Sequence, residues 1–338
     1  IASGGNYNVV LGDEAGTAIT TGDANVAIGY NALSSEDAHG LNVAVGTNAL
    51  GNQNAGADAY NVAVGHDGGT AVTTGVQNTL VGGLVADALT EGGNNAAFGQ
   101  GALGTDTKGS HATAIGSFAL ATQNFTTATD NYNTAVGYGA GSLVSTGIQN
   151  TLIGGLAGDA LTDADYNLAI GVSALGSDTL GSRSVALGHQ TLGAQNFTTA
   201  TNAYNVAVGF SAGNAITTGV KNQLFGAEAG DALTDADYNV AVGYAALSAD
   251  TLGSRSTAIG HGALFAQNFT TATDTYNVAV GYQAGVAVTT GVQNTLIGAS
   301  AGDALTDADY NVAVGVNALT ADTLGSRSTA LGFNTLAT

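Results

Sequence analysis

Aspartates form the clusters in this chain whose residue types and spacing could do chemistry. A set of three recurs every 72 residues, and alternating carboxylates in a turn could supply the hard oxygen ligands of Ca²⁺. The spacing is not that of an EF-hand or of the glycine-rich calcium nonapeptide, so a solvated acidic turn is the alternative interpretation. Calcium is the only cofactor that the sequence suggests. The candidate ligands are Asp159, Asp163, Asp165, Asp231, Asp235, Asp237, Asp303, Asp307 and Asp309.

Catalytic motifs are not apparent. His189 and His261 occupy one position of successive blocks, but Ser117 and Phe333 occupy it elsewhere, so we interpret the histidines as surface residues. The sequence has no P-loop and no Cys/His metal spacing. Its glycines recur at a fixed period, so short glycine-motif matches, such as those at 99–104, 209–213 and 298–302, do not indicate a dinucleotide fingerprint or a nucleophile elbow. Enzymes usually need unique residues in a unique pocket, whereas the unusual residues here recur. We therefore predict that the protein is not an enzyme.

The charge is low and strongly acidic. Only 9% of the 338 residues are charged, the net charge is −20 and the pI is about 4.1. This balance disfavours binding to nucleic acid or to anionic membrane surfaces. Arg183, Arg255 and Arg327 recur with the 72-residue period, and we predict surface pairing with nearby carboxylates such as Asp250 or Asp322.

A polar loop recurs in the longest repeat units and is a candidate contact surface. Each copy contains an N-glycosylation sequon, which matters only if the source glycosylates. The alternative is a corner clamp in which the phenylalanine is tucked against the body of the repeat. The predicted displayed residues are Asn124, Phe125, Thr126, Asn196, Phe197, Thr198, Asn268, Phe269 and Thr270.

A five-residue motif, typified by residues 61–65, positions all of these residues. It returns nineteen times, mostly at steps of 17 residues and three times at 21, with a 72-residue super-repeat. A repeat this short cannot hold a helical hairpin, and glycines between β-branched residues indicate short strands joined by turns. We predict an all-β protein, a parallel β-solenoid of about nineteen coils that forms a stiff rod.

The columns of the motif predict separate structural roles. The fourth residue is always large and apolar, as at Val64, and we expect it to form the core. The fifth is always glycine, as at Gly65, which suggests positive φ or close backbone approach. The first is mostly asparagine, as at Asn61, and stacked asparagines could form a hydrogen-bonded ladder.

The third residue of the motif predicts an oligomer. Strand side chains alternate, so this column should face away from the core, yet it is Ala or Leu. We interpret it as a face that packs on another copy of the chain, and we predict that Ala63→Asp disrupts assembly before folding. A small, solvent-facing column is the alternative. The predicted interface residues are Ala63, Leu80, Ala135, Leu152, Ala207, Leu224, Ala279 and Leu296.

The organisation predicted from these columns is one continuous array over residues 1–338. The super-repeats cover about 61–132, 133–204, 205–276 and the partial 277–338, with 1–60 as a variant set. No run approaches the roughly 18 apolar residues of a transmembrane helix. Because the chain opens at Ile1 and stops within a repeat, we expect it to be a processed product or a segment of something longer.

The units at 277–285 and 256–264 resemble the head repeats of trimeric autotransporter adhesins (YadA-like heads) and the related repeats of bacteriophage tail fibres. This resemblance implies a left-handed parallel β-roll with three chains around one axis. The repeat is longer than the common head repeat of that family.

The expected function is therefore a non-enzymatic structural and adhesive fibre segment. It would be extracellular, on a cell surface or a virion tail fibre, and its loops would attach to a host glycan or protein. The alternative is a filament subunit that polymerises end to end. A third hypothesis, of lower rank, is an ice-binding β-solenoid, which requires a flat outward array of threonines.

Overall fold

The computed structural model describes residues 4–337 and contains no helix in that range. The chain divides into two compact units, Ile1–Asn167 and Leu168–Thr338. Each is a parallel β-solenoid, with nine coils in the first unit and ten in the second. The prediction of an all-β parallel solenoid with about nineteen coils is confirmed. One array running unbroken through 1–338 stays a prediction.

The first unit stacks nine three-residue strands, each in parallel register with the strand of the next coil. Two shorter strands, β7 and β9, form a separate pair. The strands are β1 Val9–Leu11, β2 Val26–Ile28, β3 Val43–Val45, β4 Val62–Val64, β5 Thr79–Val81, β6 Ala96–Phe98, β7 Gly109–Ser110, β8 Thr113–Ile115, β9 Thr129–Asp130, β10 Thr134–Val136 and β11 Thr151–Ile153.

The second unit stacks ten strands in the same way. Its short pairs are β13 with β15 and β19 with β21. The strands are β12 Leu168–Ile170, β13 Gly181–Ser182, β14 Val185–Leu187, β15 Thr201–Asn202, β16 Val206–Val208, β17 Gln223–Phe225, β18 Val240–Val242, β19 Gly253–Ser254, β20 Thr257–Ile259, β21 Thr273–Asp274, β22 Val278–Val280, β23 Thr295–Ile297, β24 Val312–Val314 and β25 Thr329–Leu331.

The side chain of the middle residue of each three-residue strand points into the interior of the coil. From Ala27 onward this residue is at most 2% exposed, and it is Ala in most coils. The following residue points outward, so Val64 is 37% exposed. The prediction that Val64 and its column form the core is wrong, because the alternation places the smaller side chain inside. A coil this short has room for Ala but not for a continuous column of Val and Ile.

Leucine enters the inner column only where glycine makes room for it. Leu224 is fully buried. A Cβ added at Gly213 would lie 2.7 Å from Leu224 Cδ1, and one at Gly230 would lie 2.9 Å from Leu224 Cδ2. Leu152 and Leu296 are bracketed by glycines in the same manner. Where the inner column has Leu, the facing residues are small, and where it has Ala, the facing residues are larger. The volume of the core therefore stays similar from coil to coil.

The predicted roles of the glycine and asparagine columns are confirmed. Gly65 has φ of 143°, and a side chain there would clash with the carbonyl oxygen of Gly82. Asn61 is fully buried, its Oδ1 accepts a hydrogen bond of 2.8 Å from the Asn78 backbone N–H, and its Nδ2 donates to the Gly75 carbonyl at 2.7 Å. The same two hydrogen bonds recur along the column. The buried asparagine side chains thus satisfy backbone N–H and carbonyl groups of the turn that are not paired in a β-ladder.

Between residues 4 and 337, the protein has no helix that is long and apolar enough to cross a bilayer.

Candidate assembly surface and displayed loops

The last residue of every three-residue strand points outward and is large and apolar. Parallel, in-register pairing stacks these side chains directly above one another within each unit. Their exposure is substantial for apolar groups: it is 38% at Phe98 and 40% at Phe225, and it is higher at Leu11 and Leu331 in the two end coils. We call this column the outer column. It consists of Leu11, Ile28, Val45, Val64, Val81, Phe98, Ile115, Val136, Ile153, Ile170, Leu187, Val208, Phe225, Val242, Ile259, Val280, Ile297, Val314 and Leu331.

The column predicted to contact a partner lies inside the coils instead. Each of its members is 0% exposed within a single chain, so none can reach another molecule without unfolding. The assignment of these residues to an oligomer interface is wrong because the two faces of the strand were exchanged, a shift of one residue. The residues that were wrongly assigned to the interface are Ala63, Leu80, Ala135, Leu152, Ala207, Leu224, Ala279 and Leu296.

The recurring loops combine a buried anchor with an exposed rim. Phe125, Phe197 and Phe269 are only 5–6% exposed, so the corner clamp is the correct interpretation for the aromatic ring. The flanking side chains are exposed in all three copies and are available for contact. These exposed residues are Asn124, Thr126, Asn196, Thr198, Asn268 and Thr270.

A buried carboxylate holds each of these loops in place, and sequence reasoning missed it. Asp106 is fully buried; its Oδ1 accepts from the N–H groups of Gly109 at 3.0 Å and Phe125 at 3.1 Å, and its Oδ2 accepts from Gln123 Nε2 at 2.6 Å. Gln123 Oε1 in turn accepts from Asn133 Nδ2 at 2.9 Å. Three charge-assisted hydrogen bonds explain how this carboxylate can be buried.

Equivalent networks surround Asp178 and Asp250. The predicted pairing of Arg255 with Asp250 is therefore wrong, since Asp250 is buried beneath its loop. Arg255 Nε instead donates to Asp274 Oδ1 at 2.9 Å. The sequence signal was present as the constant 17-residue spacing from each aspartate to the glutamine of the loop.

The aspartate sets that were calcium candidates hydrogen-bond the preceding coil. Asp235 Oδ1 accepts from Thr218 Oγ1 at 2.6 Å, and Asp237 Oδ1 accepts from the Val220 N–H at 2.7 Å. Asp163 and Asp165, and likewise Asp307 and Asp309, make the same two contacts. In the described part of the chain, the one group of three His, Asp or Glu side chains whose ligand atoms lie within 4.8 Å of one another contains none of these residues.

The first aspartate of each set is half-buried at a corner, and so is Asp87, which lies 72 residues before Asp159. Burial raises the pKa of Asp87, Asp159, Asp231 and Asp303 above the ordinary value of 3.8. Burial penalises the ionised form because the interior solvates charge poorly. Asp231 offsets part of this effect by accepting a hydrogen bond of 2.6 Å from Ser248 Oγ.

A stripe of tyrosines and cations runs along one corner of the second unit. It lies at the residue before the asparagine column, and four of the five Lys and Arg residues of the chain occupy it. Arg255 lies 4.7 Å from the ring centroid of Tyr238 and 5.9 Å from that of Tyr276, and Lys221 lies 4.8 Å from that of Tyr238. The stripe consists of Arg183, Tyr204, Lys221, Tyr238, Arg255, Tyr276, Gln293, Tyr310 and Arg327.

Tyr238, Tyr276 and Tyr310 each have a cation of a neighbouring coil over the ring, and Tyr238 has two. The histidines form a comparable stack at another position. His261 lies between Tyr244 and Tyr282, with both centroid distances 5.3 Å. His189 and His261 are exposed, as predicted.

Comparison with known proteins found no protein-family model, no curated protein and no solved structure that matches this chain.

Proposed function

We propose that this chain is a segment of a non-enzymatic structural and adhesive fibre that assembles side by side with copies of itself. The observation that carries the proposal is the outer column, which is large and apolar in all nineteen coils. Such a run, partly exposed in a single chain, is the signature of a surface that another molecule covers. If this strand face were exposed to solvent in the assembled protein, we would expect polar residues on it.

The repeat itself indicates a second copy as the partner. The apolar side chains are spaced by one coil, about 4.8 Å, along each unit. A partner that fills the gaps between them must carry apolar groups at the same spacing, and another copy of this chain does so. Burial of such a face stabilises assembly by about 25 cal/mol per Å² of apolar surface. The expected assembly is three left-handed rolls around one axis, with coils of 17 or 21 residues.

The loops supply the adhesive part of the proposal. Asn196 and Thr198 are exposed beside a buried Phe197, so the loop is held in one conformation. Equivalent loops recur in the 72-residue blocks, and weak contacts by several copies add through avidity. The proposed location is extracellular, on a cell surface or a virion fibre, with a host glycan or protein as the partner of the loops.

Two other hypotheses have less support. End-to-end polymerisation into a filament stays a prediction. Ice binding requires a regular outward threonine array, whereas the outer column is aliphatic or aromatic. We do not propose ice binding.

The oligomeric state in solution tests the proposal. Light scattering of the wild-type protein is expected to give a homo-oligomer, and the double substitution Val208→Asp with Val242→Asp is expected to give a folded chain of lower mass. Thr198→Asp adds a charge to an exposed loop outside the strands and serves as the control that keeps the wild-type mass. A monomeric wild-type protein would refute assembly through the outer column.

A further inference from the structure

A fourth loop, which begins at Gln53 and is the first along the chain, departs from the other three at its buried carboxylate. Glu36 lies 17 residues before Gln53, which is the spacing of Asp106 to Gln123, and Glu36 is fully buried. Three residues after the carboxylate, the later loops have glycine, as at Gly109, whereas the first has His39. At this corner the first loop therefore has Glu and His where the later loops have Asp and Gly.

The histidine occupies space that phenylalanine fills elsewhere. In a later loop, a Cβ added at Gly181 would lie 2.7 Å from the ring of Phe197. In the first loop the residue at the phenylalanine position is Ala55. The exchange conserves volume, but it places an imidazole beside a buried carboxylate.

The Glu36 carboxylate is held less well than its counterparts. Its Oε2 accepts from Gln53 Nε2 at 3.4 Å and its Oε1 accepts from the His39 N–H at 3.3 Å, whereas the bonds to Asp106 are 2.6–3.1 Å. A buried carboxylate with long hydrogen bonds is one that a cation would stabilise.

The imidazole nitrogen that faces this carboxylate makes no hydrogen bond. Among the described residues, His39 Nδ1 is the buried side-chain nitrogen or oxygen that has no partner. It lies 3.6 Å from Glu36 Oε1, which is too long for a good hydrogen bond. Two ligands of one tetrahedral ion with bonds near 2.1 Å are separated by about 3.4 Å. The distance thus suits two ligands of a shared ion.

We propose that Glu36, Asp37 and His39 bind a divalent transition-metal ion such as Zn²⁺. One ligand atom from each side chain lies within 4.8 Å of the other two. Two carboxylates neutralise the charge of the ion, and a neutral imidazole favours zinc or a similar metal over calcium. Bound metal would link the start of the turn to its end and fix the first loop, as phenylalanine fixes the later ones.

Titration of the purified chain with Zn²⁺, followed by calorimetry, tests this site. We expect one ion per chain, and Co²⁺ at the same site should give visible absorption bands of a tetrahedral complex. Substitution of a ligand, by His39→Ala or Glu36→Gln, should weaken binding by at least about 10–100-fold. His66→Ala and His111→Ala are matched controls, because each of these histidines already contacts a carboxylate, at 2.9 and 3.1 Å.

A triple substitution that follows the later loops, called the graft, keeps the test decisive if a single variant misfolds. The combination Glu36→Asp, His39→Gly and Ala55→Phe introduces the residues that the later loops have at these three positions, so it should fold and lose the metal site. Wild-type binding no tighter than that of the graft, or binding that persists unchanged in folded His39→Ala, would overturn the proposal. The outcome of the metal titration does not depend on the oligomeric state of the chain.

Discussion

Two neighbouring columns of the same strands are both apolar and yet differ in what limits them. The inner column, represented by Ala207 and Leu224, is Ala in most coils and Leu only where at least one glycine faces it. The outer column, represented by Val208 and Phe225, varies freely among Val, Ile, Leu and Phe. The inner side chains must fit a closed space of fixed volume, whereas the outer ones face an open surface. Variation in size, more than hydrophobicity, therefore distinguishes the inside of a narrow coil from its outside.

The largest expected difference between the columns follows from adding a charge to each. Ala207→Asp buries a carboxylate without a partner and is expected to destabilise its coil by several kcal/mol. Val208→Asp places the same group on the surface and should leave the fold of a single chain intact. Circular dichroism during thermal unfolding measures both variants. Equal loss of structure in the two would show that the columns are not distinct.

Removal of volume should separate the columns by a smaller amount. Leu224→Ala leaves a cavity between Gly213 and Gly230 and is expected to cost about 2–5 kcal/mol. Phe225→Val, on the outer side of the same strand, should change the stability of a single chain by less than about 0.5 kcal/mol. Amide hydrogen exchange at β17 and its neighbours reports the local loss. Similar protection in both variants would contradict the prediction.

Addition of volume tests the glycine bracket directly. Ala241 lies in a coil whose facing position is Leu247 instead of glycine, so Ala241→Leu should overpack the core by about 1–3 kcal/mol. Val242→Leu adds volume to the outer column and should be tolerated. Urea unfolding of the two variants gives the comparison. A tolerated Ala241→Leu would mean that the interior has spare room.

The smallest effect concerns the half-buried aspartates at the corner between inside and outside. Their folded-state pKa values are raised by burial, so their ionised forms cost stability at neutral pH. Lowering the pH toward 3.8 protonates them in the folded state first, and their contribution to stability should rise in that window.

A variant with Asn at all four positions isolates this contribution. These positions are Asp87, Asp159, Asp231 and Asp303. The melting temperature of the wild-type protein, relative to this variant, should increase as the pH is lowered from 7 toward 5. A wild-type advantage that shrinks over that interval would reverse the sign of the argument.

Much of the architecture could be predicted from single columns. The glycine at Gly65 and the asparagine at Asn61 are constrained by backbone geometry, so their types alone indicated a tight approach and a buried ladder. The orientation of Ala63 and Val64 could not be read in this way. A strand alternates between two faces, but the alternation does not say which face is enclosed. The choice depends on how much volume the closed coil contains.

The loops show the same limit at the candidate sites. The sequence indicated recurring polar loops, and it left open whether Phe197 was displayed or clamped. The clamp depends on Asp178 and Gln195, which come together only when successive coils stack. The Glu36 and His39 cluster was missed because the sequence does not show that Glu36 is buried or that His39 Nδ1 has no hydrogen-bond partner.

By itself, the sequence determined the parallel solenoid, the number of its coils, and the glycine and asparagine columns, because these follow from a short period and from residues with narrow backbone preferences. The tertiary structure decided which apolar column is the core, which ring is buried, and which carboxylates meet a glutamine or a histidine. The core column depends on the volume that a closed coil encloses, and the carboxylate–glutamine pairs depend on contacts between coils, 17 residues apart in sequence.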